Sequence, residues 1–247
     1  MIKLVRRGKP GILETNQGVW QQALDLAIKK YGGYGSIPQK ERESLVSHYR
    51  HEKIKEGLVE SSGEKCAFCE SKPGESGNIE VEHFLPKSIY PSLTFEWGNF
   101  LPSCRKCNGS KSDHDTGADP IVNPYDIDPD SVFYYRDIQI KAIGDNVLGE
   151  TTIRVCGLNS VRLMRPRAEI LVALHDFSES IREAIEDYRS CTTELQRTNR
   201  ARKIYESIER IELISSRDER YSGFCKSYLQ ACEPYCEAKK LIAERNG

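Results

Sequence analysis

Along residues 18–31, GVWQQALDLAIKKY, the apolar side chains Trp20, Leu24 and Ile28 recur every fourth position, which lays one stripe along a helix. The glycines of YGGYGSIP end it. A second helix is expected through Lys40–Leu58, with Leu45, Tyr49 and Ile54 as its apolar stripe. The period then shortens. IEVEHF at 79–84 alternates as a strand does, delivers Glu82 and His83 at its end, and is stopped by Pro86. NFLPSC at 99–104 is short and extended, and CRKCNGSKSD opens a helix at or near Cys104. Further on, VFYYRDIQIKAI and TTIRVCGL have the pattern of a hairpin around GDN. Asn159 stands where a cap belongs for a long helix beginning SVRLMRPRAEIL, in which Pro166 falls in the first turns or marks a kink. Two more helices are expected, from about Thr193 to Ser215 and from about Tyr221 to the end. The fold class implied is α+β, mostly helical.

Composition agrees with that picture. Of 247 residues, 30% are charged and 38% hydrophobic, the balance of a polar, soluble, folded protein. The first residues carry cations but no apolar run or cleavage site, so no secretory signal is expected. The longest aliphatic run, ILVAL at 170–174, is too short to span a bilayer. Nine cysteines without an export signal point to reduced thiols and a cytoplasmic protein. A net charge of -1 gives no global attraction to a polyanion. The distribution is uneven, with the first ten residues holding four cations and no acid. Such an arm can follow a phosphate backbone or simply be solvated, and charge alone does not choose.

The candidate chemistry is concentrated between Cys66 and Lys111. Two Cys-x-x-Cys pairs, Cys66/Cys69 and Cys104/Cys107, have the spacing that closes one tetrahedral zinc site. The step Glu82-His83 and the amides Asn99 and Asn108 are threaded through the pairs, the minimum equipment of a metal-assisted hydrolytic site. KPGESGN between them is a turn-rich loop. Outside this stretch the signals weaken. His48 and His51 lie three apart on the expected second helix without a third ligand nearby, and His114 reads as a loop histidine. Asp126, Asp128 and Asp130 lack the glycine and distal glutamate of a calcium loop. Cys225, Cys232 and Cys236, with Cys191, read better as small buried hydrophobes than as a second metal site.

The segments EHFLPKS and GNFLPSCRKCNGSK with their flanking cysteine pairs resemble the HNH endonuclease motif over residues 64–113. CAFCE, VEHFLPKSIYP, FEWGNFLPSC, NPYDIDPD and GLNSVRLMRPR resemble a narrower group, the PtuB HNH proteins of Septu-type anti-phage systems, also found beside some retrons. The resemblance implies a ββα-metal core with a structural four-cysteine zinc site formed by Cys66, Cys69, Cys104 and Cys107. It also implies His83 as general base, Asn99 orienting the loop that bears it, and Glu82 with Asn108 holding a catalytic Mg²⁺ or Mn²⁺. Glu82 stands where the family commonly has Asp or His. The implied division is an N-terminal helical arm over 1–62, an HNH core over 63–125, and a short hairpin with a C-terminal helical region over 126–247. The implied activity is nucleic-acid phosphodiester hydrolysis, of DNA before RNA, by a protein partnered with an ATPase resembling PtuA. Arg105, Lys106, Lys111 and Lys87 are the expected contacts to flanking phosphates. The competing readings are a zinc-stapled nucleic-acid or protein-binding module without catalysis, and an HNH-type ribonuclease acting, for example, on tRNA.

Overall fold

A computed structural model describes residues 1–73 and 78–246. Residues 74–77, in the middle of the KPGESGN loop, lie outside the described part. The chain forms two compact units, one of residues 1–133 with 142–158, the other of residues 134–141 with 159–247.

The first unit begins with an extended segment and then α1 (Gly11–Tyr31), which buries Leu13, Leu24 and Ala27. Gly32, in the left-handed region at φ 75°, ends the helix with its N–H on the Ile28 carbonyl. The single helix expected over Lys40–Leu58 is instead two: α2 (Gln39–Val46), a 3₁₀ turn at Ser47–Arg50, and α3 (Glu52–Ser62). The break lies at His51, which takes an extended ψ of 138° and accepts a hydrogen bond on Nδ1 from the Lys53 N–H, capping α3. His48 stacks on Trp20 at 4.7 Å, so the two histidines serve packing and capping.

Next come β1 (Ile79–His83), β2 (Phe100–Cys104) and α4 (Arg105–Lys111). The strands pair antiparallel, with Glu82 opposite Leu101 and His83 opposite Phe100. The expected order of cysteine turn, strand, loop, strand, cysteine turn and helix is the order observed. Leu24, Ile54, Leu58, Val81, Phe95, Trp97 and Phe100 share one buried cluster, so the N-terminal helices pack on the strand pair. Two of the four N-terminal cations, Lys3 and Arg6, are docked on the first unit, while Arg7 and Lys9 are exposed. Arg6 donates to the carbonyls of Trp97 (2.7 Å), Phe100 and Gly98 and covers the Tyr125 ring at 3.9 Å, while Lys3 donates to the Tyr125 carbonyl.

The hairpin expected around GDN is displaced. It is β3 (Phe133–Arg136) with β4 (Gln139–Ala142), and Asp137 at φ 52° lies in the connection. Residues 151–158, expected as its second strand, instead run through the end of α5 (Val147–Val155) and the turn after it, the helix being capped by the Asn146 side chain on the Gly149 N–H. A capping amide outweighs the β-branched run here.

In the second unit α6 (Val161–Arg189) packs against α7 (Glu194–Ile214), α8 (Ser222–Ala231) and α9 (Glu233–Asn246). Ser160, not Asn159, is the N-cap of α6; Asn159 uses both amide atoms on the Ile140 backbone, at 2.9 and 2.8 Å, and ties down β4. Pro166 is accommodated inside α6. The last expected helix is broken at Cys232, which is extended at ψ 102°, with Pro234 just beyond. Cys225, Cys232 and Cys236 therefore do not share one helix face, and Cys232 bonds to Ser178. Among the described residues no helix is long and apolar enough to cross a membrane.

Candidate metal centre and acid–histidine site

The two cysteine turns meet because the β1–β2 pair brings their ends together. Cys104 ends β2 and caps α4, its Sγ accepting from the Cys107 N–H at 3.4 Å. The first turn is tied to β2 by the Ala67 N–H on the Pro102 carbonyl. All four thiols are buried, and their sulfurs lie within 4.8 Å of one another, Cys69 and Cys104 at 3.8 Å. Tetrahedral zinc with Zn–S bonds of about 2.3 Å requires sulfurs about 3.8 Å apart, so the set fits that ion. Burial pushes the Cys66 thiol well up, while S–H donation from Cys107, Cys66 and Cys69 pulls Cys104 down. A buried nest of thiols that cannot all ionise alone is what a dication stabilises. Among the described residues this is the group of His, Cys, Asp and Glu side chains able to hold a metal ion.

Next to it, β1 presents Glu80 and Glu82 to α4. Asn108 and Lys111 lie one helical turn apart on α4 and take one carboxylate each. Asn108 Nδ2 donates to Glu80 at 2.7 Å, and Lys111 Nζ donates to Glu82 at 2.7 Å and to the His83 carbonyl at 2.8 Å. Lys111 is 1% and Glu82 5% exposed. Burial raises the Glu82 pKa, and the Lys111 ammonium works against that rise. Lys111 is thus an interior cation, not the contact to flanking phosphates expected from its sequence position; Arg105 and Lys106 remain exposed.

His83 is buried at the end of β1, its ring edge-on to Tyr49 at 4.6 Å and to Phe100 at 5.2 Å. Nε2 lies 2.9 Å from the Thr94 carbonyl. A carbonyl accepts only, so Nε2 carries the proton and Nδ1 holds the lone pair. Burial, then the charge of Lys87, lowers the His83 pKa to about 3. Asn99 fastens the following loop: Oδ1 accepts from the Leu85 N–H at 2.7 Å, and Nδ2 donates to the carbonyls of Leu85 and Leu93. His114 bonds to the Asp119 carbonyl and stands outside the site.

Glu82 and His83 are consecutive on β1 and so take different partners, Glu82 the Lys111 ammonium of α4 and His83 the rings of Tyr49 and Phe100, while Asn99 holds the loop that follows them. Asn108 faces the same strand but engages Glu80. Glu80 and Lys111 are the partners that sequence reading missed. Their signal was present as the two-residue step from Glu80 to Glu82 and the three-residue step from Asn108 to Lys111.

The fold and site define a mostly helical protein with a buried four-cysteine cluster that could hold a metal ion such as zinc, carried on a strand pair and a short helix, with an acid–histidine step beside it. No established family profile matches the chain. It is 33% identical over 192 residues to the Septu protein PtuB of Bacillus thuringiensis, which covers 76% of this chain and 73% of that one, and it belongs to the PtuB family. It is 25% identical over 203 residues to the Septu protein PtuB of Bacillus mycoides, covering 69% and 67% of the two chains. Protein ea31 of Escherichia phage lambda is 33% identical over 109 residues, 40% of this chain and 35% of its own.

Proposed function

We propose that the protein is an HNH-type nuclease that hydrolyses phosphodiester bonds, DNA before RNA, and that it serves a Septu anti-phage system beside an ATPase partner. The observation that carries the reading is the His83 imidazole, held neutral with Nε2 on the Thr94 carbonyl and Nδ1 left to act as a base. Family membership supports the defence role.

In this reading Nδ1 of His83 takes the proton of an attacking water. Asn99, gripping Leu85 and Leu93, fixes the loop that orients the ring. The four cysteines hold zinc and so tie the first cysteine turn to the end of β2 and the start of α4. Glu82 and Asn108 offer hard oxygen donors of the kind Mg²⁺ or Mn²⁺ prefers and would hold such a cation, which supplies charge neutralisation at the phosphate.

A second reading, a zinc-stapled binding module, is favoured by one observation. The Lys111 ammonium already sits on Glu82 and the His83 carbonyl, where a catalytic cation would be expected. Cleavage assays of wild type and His83→Ala with Mg²⁺ or Mn²⁺, with and without a copurified ATPase, separate the two. Cleavage lost in His83→Ala supports the nuclease. Equal cleavage removes His83 from the mechanism, and no cleavage in any condition favours the binding module.

A further inference from the structure

Around His83 stands a group of cations drawn from separate parts of the first unit: Arg50 from the turn between α2 and α3, Lys87 from the loop after β1, and Lys111 from α4. Lys111 is neutralised by Glu82. Arg50 and Lys87 are differently placed. The Arg50 guanidinium lies 5.1 Å from the centroid of the Tyr49 ring and donates from Nε to the Tyr49 hydroxyl at 3.1 Å. The Lys87 ammonium lies 5.4 Å from the centroid of the same ring. Tyr49 is buried in the core cluster and touches His83 edge-on, so one rigid aromatic ring carries two cations at the catalytic histidine.

Two like charges on one ring repel at that range. Burial lowers the Lys87 pKa; Glu82 opposes that, and Arg50, Lys111 and Arg42 add to the lowering. Glu82 is the carboxylate acting on Lys87, and it is already committed to Lys111. A half-buried lysine and an exposed arginine, held together with excess positive charge, lower their energy when an anion lies against them.

We propose that Arg50 and Lys87, mounted on Tyr49, form a cradle for the phosphate backbone of a nucleic acid beside His83, so that the N-terminal helical segment supplies part of the substrate track. The proposal rests on the nuclease reading for the identity of the polyanion. Each phosphate neutralised on duplex DNA releases condensed counterions and contributes about 0.9 to the slope of log affinity against log salt.

The test is fluorescence anisotropy with a short labelled DNA duplex of mixed sequence, without added divalent cation, across a series of KCl concentrations. The proteins are wild type, Arg50→Gln, Lys87→Gln, the double variant, Arg50→Lys and, as a charge control on the second unit, Arg202→Gln. The cradle predicts weaker binding and a slope reduced by about 0.9 for each single variant and roughly twice that for the double. It also predicts a wild-type slope for Arg50→Lys and Arg202→Gln, with zinc content and melting midpoint unchanged throughout. Equal slopes for all proteins, an equal loss in Arg202→Gln, or no binding by wild type overturns it. Cleavage assays in parallel keep the two readings apart. The predicted binding losses in a protein that never cleaves sink the nuclease reading and keep the cradle. His83-dependent cleavage with binding indifferent to Arg50 and Lys87 does the reverse.

Discussion

Burial holds the His83 imidazole neutral, and Lys87 adds to the effect, bringing its pKa to about 3 from 6.5. A group whose folded-state pKa is depressed binds its extra proton in the unfolded chain first. Its contribution to stability is complete above pH 6.5 and is lost as pH falls toward 3. Urea unfolding followed by circular dichroism should show that acid-side loss, at up to about 1.4 kcal/mol per pH unit, and His83→Gln should flatten it. On the proposed nuclease reading, cleavage should likewise show no histidine midpoint near 6.5 on its acid side. On that same nuclease reading, His83→Ala should lower the cleavage rate by about 100-fold or more without changing the zinc content. Asn99 acts through backbone it holds. Asn99→Ala strips partners from Leu85 and Leu93 and should cost about 1–3 kcal/mol by urea unfolding, with a parallel fall in cleavage rate. The chemical identity of His83 was legible from its place after an alternating strand. Its tautomer was not, because that depends on a carbonyl at Thr94, eleven residues away in a loop without periodicity.

At the scale of elements, β1 and α4 are joined by polar pairs. Lys111→Met leaves the buried Glu82 carboxylate without its ammonium and should destabilise the protein by about 3–5 kcal/mol. If the penalty is that of an orphaned charge, Glu82→Gln combined with Lys111→Met should recover most of it in the same urea titration. The α5 helix tests packing instead. A Cβ at Gly149 would lie 2.8 Å from the Ala142 Cβ and 3.0 Å from Val132 Cγ1, so Gly149→Ala should cost about 1–3 kcal/mol in thermal or urea unfolding despite the better helix propensity of alanine. Residues 151–158 read as a strand because Thr151, Thr152, Ile153 and Val155 are β-branched. Residues 151–155 fold as a helix because Asn146 caps it and the small Gly149 lets it close on Ala142 and Val132. The break at His51 was hidden for a related reason: the apolar stripe continues through it, and only backbone geometry marks the new cap.

At the scale of the whole molecule, the four-cysteine centre joins the first turn, the end of β2 and the start of α4 across long stretches of chain. Closing such loops removes conformational entropy from the unfolded state, and structural zinc contributes its binding energy to folding. Chelation should therefore lower the melting midpoint and speed amide hydrogen exchange in β1, β2 and α4. Exchange in α6 and α7, whose own unit buries Leu174, Ile181, Ile204 and Ile208, should change little. Because Asn108 directly follows Cys107, the same treatment should weaken the Asn108–Glu80 contact and, on the nuclease reading, suppress cleavage, and zinc added back should restore both.

By itself the sequence determined the cysteine spacing, the strand alternation that ends on Glu82 and His83, and the apolar stripes of the long helices. These are local properties, set within a few residues by the pleat and the helical turn. Tertiary structure decided the partners. It turned Lys111 inward onto Glu82, gave Asn108 to Glu80, committed Arg6 to the backbone of residues 97–100, and gathered Arg50 and Lys87 on one tyrosine ring. Electrostatic and hydrogen-bond partners are chosen by distance through space, across separations along the chain that no local pattern encodes.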